Sequence, residues 1–152
     1  MRMKKICVLG GTGFVGRHLL AKLASKGYEV RVLTRQREQH RALWVLPTVK
    51  VSNYTDGALV GLEQHFADCD AVINLIGILN ETSKHSFQKL HVEVPQQIIN
   101  ACKASGVKRI LHMSALNADI QGASHYLRSK GAGEQLMLSA QGEGLAVTLF
   151  KP

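Results

Sequence analysis

Two hydrophobic patterns take turns along this chain. Short apolar-rich runs occupy residues 5–9, 28–33, 70–76, 107–113 and 145–150, with a weaker one at 49–51. Runs of this length that bury both faces are what a parallel sheet between helices requires. Between them, apolar residues recur at helical spacing. Val15, Leu19, Leu20 and Leu23 form one such stripe, which Gly27 stops. Phe87, Leu90, Val94, Ile98 and Cys102 form a longer one, ended by Gly106. Asp56 is expected to cap a short helix through Phe66, and residues 126–140 a further helix. Pro95 falls inside the long stripe and should kink it, because its ring removes a donor and crowds the preceding turn. The alternation predicts an α/β fold: a doubly wound parallel sheet of six strands, a Rossmann-type nucleotide-binding fold with helices on both faces. No repeat, linker or low-complexity segment interrupts it.

Length and charge narrow the picture. The 152 residues make one domain of ordinary size, read as 1–152, and an apolar fraction of 45% supplies a core. Nothing approaches the ~20 apolar residues of a membrane span. The basic start at Arg2, Lys4 and Lys5 precedes an apolar run too short for a signal peptide, so a cytoplasmic location is expected. Cys7, Cys69 and Cys102 are widely spaced and read as small core residues, not as a disulfide framework or metal cluster. The net charge of +8 is uneven: residues 1–50 hold eleven Lys/Arg against two acids, and the remainder eight against nine. Nucleic acid is one explanation of such an excess, but no aromatic platform or recognition-helix pattern accompanies it. The other explanation is phosphate binding in the first third of the chain.

That third contains Gly10, Gly11, Thr12, Gly13, Phe14, Val15 and Gly16, a G-x-G-x-x-G string when taken from Gly11. It follows an apolar strand and opens an amphipathic helix, the context that gives the string meaning. The turn is tight, and a Cβ would keep a pyrophosphate from the backbone N–H groups at the positive end of the helix. After the second strand, NAD sites place Asp or Glu for the ribose 2′-hydroxyl. Here Thr34, Arg35, Gln36 and Arg37 stand instead. A guanidinium holds a 2′-phosphate by charge-assisted, bidentate bonds, so NADP is expected over NAD, with Arg35 as the principal contact. A merely solvated basic loop is the competing reading.

A third constellation is Tyr126 and Lys130, four residues apart on one helix face. A nearby ammonium favours tyrosinate, which suits a group exchanging a proton with a substrate hydroxyl or carbonyl.

The glycine string, the turn of Asn74, Leu75, Ile76 and Gly77, the run Ser114 to Asn117, and the Tyr126/Lys130 pair together resemble the extended and atypical short-chain dehydrogenase/reductase superfamily. Within it the chain resembles the NAD-dependent epimerase/dehydratase group, and there the proteins similar to the NADPH-binding accessory subunit of respiratory complex I. The resemblance covers the whole chain in order. It implies that Gly10, Thr12, Gly13, Phe14, Val15 and Gly16 surround the pyrophosphate and that Arg35 meets the adenosine phosphate. It places Asn53 near the adenine and Asn74, Leu75 and Gly77 along the cofactor's middle. Lys130 would bond the nicotinamide ribose, with Tyr126 as acid/base and Ser114 as the catalytic serine. No metal is implied.

Two departures qualify this. In one register Ser114 is the serine before the catalytic position, which Ala115 then fills; a one-residue slip returns the role to Ser114. His91 stands where relatives often carry a relay asparagine, and reads either as a substitute or as a packing residue. Extended members are also roughly twice as long, so the C-terminal substrate portion is expected to be absent here. Three readings of function follow. One is a reductase, epimerase or dehydratase acting on a small molecule such as a sugar nucleotide. The second is a non-catalytic NADP(H)-binding accessory or sensor module of a larger assembly. The third is a vestigial fold that binds nothing. Self-association is a further expectation, from the surface that a missing portion would expose.

Overall fold

The computed structural model describes residues 4–54 and 61–152. Six strands form one sheet: β1 Lys5–Leu9, β2 Glu29–Thr34, β3 Val49–Asn53, β4 Ala71–Asn74, β5 Arg109–Met113 and β6 Ala146–Phe150. Their order is β3-β2-β1-β4-β5-β6, and every pair is parallel. The order reverses between β1 and β4, which is where a doubly wound sheet opens a crevice at its carboxyl edge.

Alternate residues of β1 feed two cores. Val8 joins Val30, Val32, Val49, Val51 and Ile73 under Leu20 of α1 Phe14–Ser25. Cys7 and Leu9 face the opposite way, toward Leu62 and Phe66 of α2 Leu62–Phe66, Ile98 and Cys102 of α3 Val94–Ser105, and Met137 of α4 His125–Gly142. Helices therefore cover both faces, as the near-continuous apolar strands required. The three cysteines are free and buried. Asp56 lies outside the described residues, and α2 runs to Phe66 as expected.

Local departures from the expected elements have identifiable causes. The β4 ladder ends at Asn74 rather than at residue 76, because the Asn74 side chain accepts from the Ile76 N–H at 3.1 Å and turns the chain away. The long apolar stripe does not kink within an α-helix. A π-helical turn, Gln88–Glu93, leads into α3, whose first turn contains Pro95. Pro95 brings no N–H for the carbonyl four residues back, that of His91, and its ring crowds it, so the turn before it widens. The His91 carbonyl packs against α4 at Gly133, where a Cβ would stand 2.3 Å from it. A 3₁₀ stretch, Arg37–Val45, follows β2 where the apolar pattern gave no element, with the Arg37 guanidinium 4.5 Å from the Trp44 ring centroid.

Candidate nucleotide site

At the carboxyl ends of β1, β2 and β4 lies a cleft of about 960 Å³, walled by the glycine turn, the segment after β2, the turn after β4 and the start of the π-helical turn. Gly10 and Gly13 line it, and with Gly16 on the first turn of α1 the three glycines serve different purposes. Gly10 has φ +76°, and a Cβ there would lie 2.7 Å from the Leu75 carbonyl carbon, so β1 and β4 could not close around a larger residue. At Gly16 a Cβ would meet the Gly11 backbone at 2.5 Å, so this position lets α1 seat on the strand. Gly13 differs. Its backbone is extended, and a Cβ would find only the Gly10 carbonyl oxygen, at 3.7 Å. The protein's own packing does not require glycine there. A ligand approaching the N-terminus of α1 would, and the open cradle has room for the pyrophosphate of a dinucleotide.

Thr12 lies beside Gly10 and Gly13 in the cleft, while Phe14 and Val15 stand exposed on the first turn of α1. Arg35 lines the cleft where β2 ends, and Leu75 and Gly77 line it on the β4 side. Asn53 is at the end of β3, but its side-chain oxygen accepts from the Arg37 N–H at 2.8 Å and so fixes the turn after β2. Asn74 is completely buried. Beyond holding the Ile76 N–H, its amide donates to His112 Nδ1 at 3.1 Å. Its contribution is to shape the turn that presents Leu75 and Gly77.

Beyond Gly77 lies the α4 face. Lys130 is buried and donates from Nζ to the Met113 carbonyl at 2.9 Å, and a Cβ on Gly77 would stand 3.6 Å from that nitrogen. Burial pushes its pKa down to about 8, against the pull of the Glu134 carboxylate. Tyr126, one turn earlier, is half-buried, with its ring edge-on to His91 (5.6 Å) and Phe87 (5.9 Å).

His91 is wholly engaged. Nε2 accepts from the Ile78 N–H at 3.1 Å, which leaves the proton on Nδ1, donated to Ser129 Oγ at 2.8 Å. Burial and then Lys130 lower its pKa to about 4, so it is neutral. These are the bonds of a packing residue. Ser114 donates to Glu134 Oε1 at 2.5 Å, and the other carboxylate oxygen pairs with Lys151 at 3.0 Å. Glu134 went unnoticed in the sequence, although it continues the four-residue spacing of Tyr126 and Lys130. His40, Lys84, His85, Lys89 and Glu93 also line the cleft, and no sequence motif pointed to them.

Comparison with known proteins agrees with this geometry. The family model for the NAD dependent epimerase/dehydratase family matches residues 6–152. The chain is 34% identical to the mitochondrial NADH dehydrogenase [ubiquinone] 1 alpha subcomplex subunit 9 of Rattus norvegicus, over 84% of this chain and 35% of that protein. It is 30% identical to the ceramide reductase of Caulobacter vibrioides, over 93% of this chain and 44% of that protein. The chain thus spans less than half the length of these relatives. The UDP-glucuronic acid 4-epimerase of Bacillus cereus, solved with NAD, superposes with a TM-score of 0.79 at 21% identity, over 97% of this chain and 56% of that one. One expectation is corrected. The rat relative and its mouse, Neurospora crassa and Arabidopsis thaliana counterparts are mitochondrial proteins, which overturns the cytoplasmic location inferred from the short apolar run at the start. Among the described residues, no helix is long and apolar enough to cross a membrane. With its glycine cradle, parallel sheet and crevice, the chain belongs to the NAD dependent epimerase/dehydratase family and forms its NAD(P)-binding Rossmann domain.

Proposed function

We propose that this domain holds NADP(H) in preference to NAD(H), within a protein that uses the dinucleotide as a bound component of a larger assembly. The observation that carries the cofactor preference is Arg35. It stands on the cleft wall at the end of β2, where an NAD site would present a carboxylate, and the only acid among the described lining residues is Glu93. Gly10 and Gly13 would hold the pyrophosphate, Leu75 and Gly77 would flank the middle of the cofactor, and Lys130 would reach the nicotinamide ribose. When bound, the cofactor supplies a hydride donor or acceptor.

The commitment of Ser114 to Glu134, followed by Ala115, favours the accessory reading over turnover. The rat relative, a subunit of NADH dehydrogenase, is in keeping with it. Tyr126 and Lys130 support a second reading, a reductase or epimerase/dehydratase acting on a small carbonyl or hydroxyl substrate such as a sugar nucleotide. The ceramide reductase relative is in keeping with that one.

Melting temperatures with NADPH, with NADH and with neither test the cofactor assignment. At one hundred times its dissociation constant a ligand stabilises by about 2.7 kcal/mol. A rise with NADPH, little with NADH, and loss of the difference in Arg35→Ala is the expected result; equal shifts refute it. Oxidation of NADPH by a panel of carbonyl compounds, abolished by Tyr126→Phe with binding retained, would replace the accessory reading with the enzymatic one.

A further inference from the structure

Arg35 and His85 come together across the cleft from segments fifty residues apart. Arg35 Nη1 lies 3.0 Å from His85 Nε2 and 3.5 Å from Nδ1. A guanidinium has donors only, so the imidazole meets it as a neutral acceptor.

Three observations indicate an anion. First, the described lining residues carry Arg35, Lys84 and Lys89 against the single carboxylate of Glu93. Second, the segment bearing His85 is tied into its own bend. Thr82 Oγ1 accepts from the Lys84 N–H at 3.3 Å and the His85 N–H at 3.1 Å, and the Thr82 N–H donates to the His85 carbonyl at 2.9 Å. Glu81 holds the Phe87 N–H at 2.9 Å, so both sides of His85 are anchored. Third, His40 lines the same cleft five residues after Arg35, and its Nδ1 is buried with no hydrogen-bond partner among the described residues. A buried polar atom left alone is costly, and a ligand in the cleft is one way to complete it.

We infer that His85 is the second arm of a phosphomonoester clamp, closing with Arg35 on the adenosine 2′-phosphate from the opposite wall. This rests on the NADP(H) reading above. A dianionic phosphate between the two side chains accepts from the guanidinium fork on one side. On the other it accepts from the imidazole N–H. His85 is then a specificity-determining residue: it acts on ligands that carry the 2′-phosphate and is indifferent to those that lack it.

Dissociation constants for NADPH, NADH, 2′-AMP and 5′-AMP, measured on the chain and on His85→Ala, His85→Arg and Arg35→Ala, test the clamp. Loss of one charge-assisted contact predicts about tenfold weaker NADPH and 2′-AMP binding in His85→Ala, with NADH and 5′-AMP within about twofold. His85→Arg, which restores a donor of fixed charge, is expected to recover the preference. If the unaltered chain prefers NADPH, and His85→Ala keeps that preference while Arg35→Ala abolishes it, the clamp is refuted and the NADP(H) reading stands. An unaltered chain without preference refutes both.

Discussion

Ser114, on the turn that ends β5, donates its hydroxyl to the buried carboxylate of Glu134 on α4 at 2.5 Å. Lys151, just past β6, takes the other oxygen at 3.0 Å from a half-exposed position. The three residues tie the end of the sheet to the helix that carries Tyr126 and Lys130. They give Ser114 a structural bond to the helix.

A ranking of variants follows from that relationship. Hydrogen bonds to charged groups are worth about 1.5–3 kcal/mol, whereas an ion pair whose lysine stands half in water is partly screened and contributes at most about 1 kcal/mol. Denaturant unfolding should therefore show Ser114→Ala down by about 2 kcal/mol and Lys151→Ala by under about 1 kcal/mol. Affinity for the dinucleotide should be preserved in both. A Ser114→Ala chain of ordinary stability that fails to bind nucleotide would contradict the structural role.

The glycines separate fold from ligand. Gly10→Ala combines a φ of +76° with a Cβ 2.7 Å from the Leu75 backbone, so it should destabilise by about 3 kcal/mol or more. Gly13 has an extended backbone and open space, so Gly13→Ala should change stability by under about 1 kcal/mol. Nucleotide affinity should nevertheless fall at least tenfold, a difference that thermal unfolding and titration would together reveal. Undiminished affinity in Gly13→Ala would mean that the cradle does not approach a pyrophosphate.

Lys130 gives an alkaline signature. Its folded pKa of about 8 lies below the ordinary 10.5, chiefly because burial disfavours the cation. Between those values the unfolded chain holds a proton that the folded chain has released, so stability should rise with pH over that window. The gain approaches about 3 kcal/mol. Urea midpoints from pH 7 to 10.5 measure it, and Lys130→Met should flatten the rise; an unchanged profile would place the ammonium in water.

Acid acts through two histidines. Burial first, then Lys130, brings His91 and His112 to about 4 from 6.5. Below pH 6.5 the unfolded chain takes up protons on both that the folded chain refuses. Stability is therefore full above that value and falls as pH drops toward 4, at up to about 2.7 kcal/mol per pH unit for the pair. In His91→Gln about half of that slope should disappear. Should the slope persist unchanged, His91 is not among the groups that titrate on unfolding.

Much of this architecture was legible in local pattern. Strand runs apolar on both faces, stripes at helical spacing and terminal glycines each depend on neighbours a few residues apart. They located the six strands, the glycine cradle and the shared face of Tyr126 and Lys130. The same reasoning gave Pro95 a kink, but the cost of its missing donor is spread over a π-helical turn that Gly133 of α4 accommodates. That outcome depends on a helix almost forty residues away.

By itself, the sequence determined the fold class, the glycine turn after the first strand and the family, because these are written in periodicity and in a contiguous motif. Tertiary structure alone decided that Ser114 serves Glu134, that His91 has no hydrogen-bonding capacity left for a relay, that Asn74 shapes a turn, and that His85 meets Arg35 over the cleft. The Asn74 turn bond reaches only two residues on, but its burial and the other contacts join segments 13 to 50 positions apart. Hydrogen-bond partners and desolvation are properties of the space around a side chain, and that space exists only once the sheet has brought its carboxyl edges together.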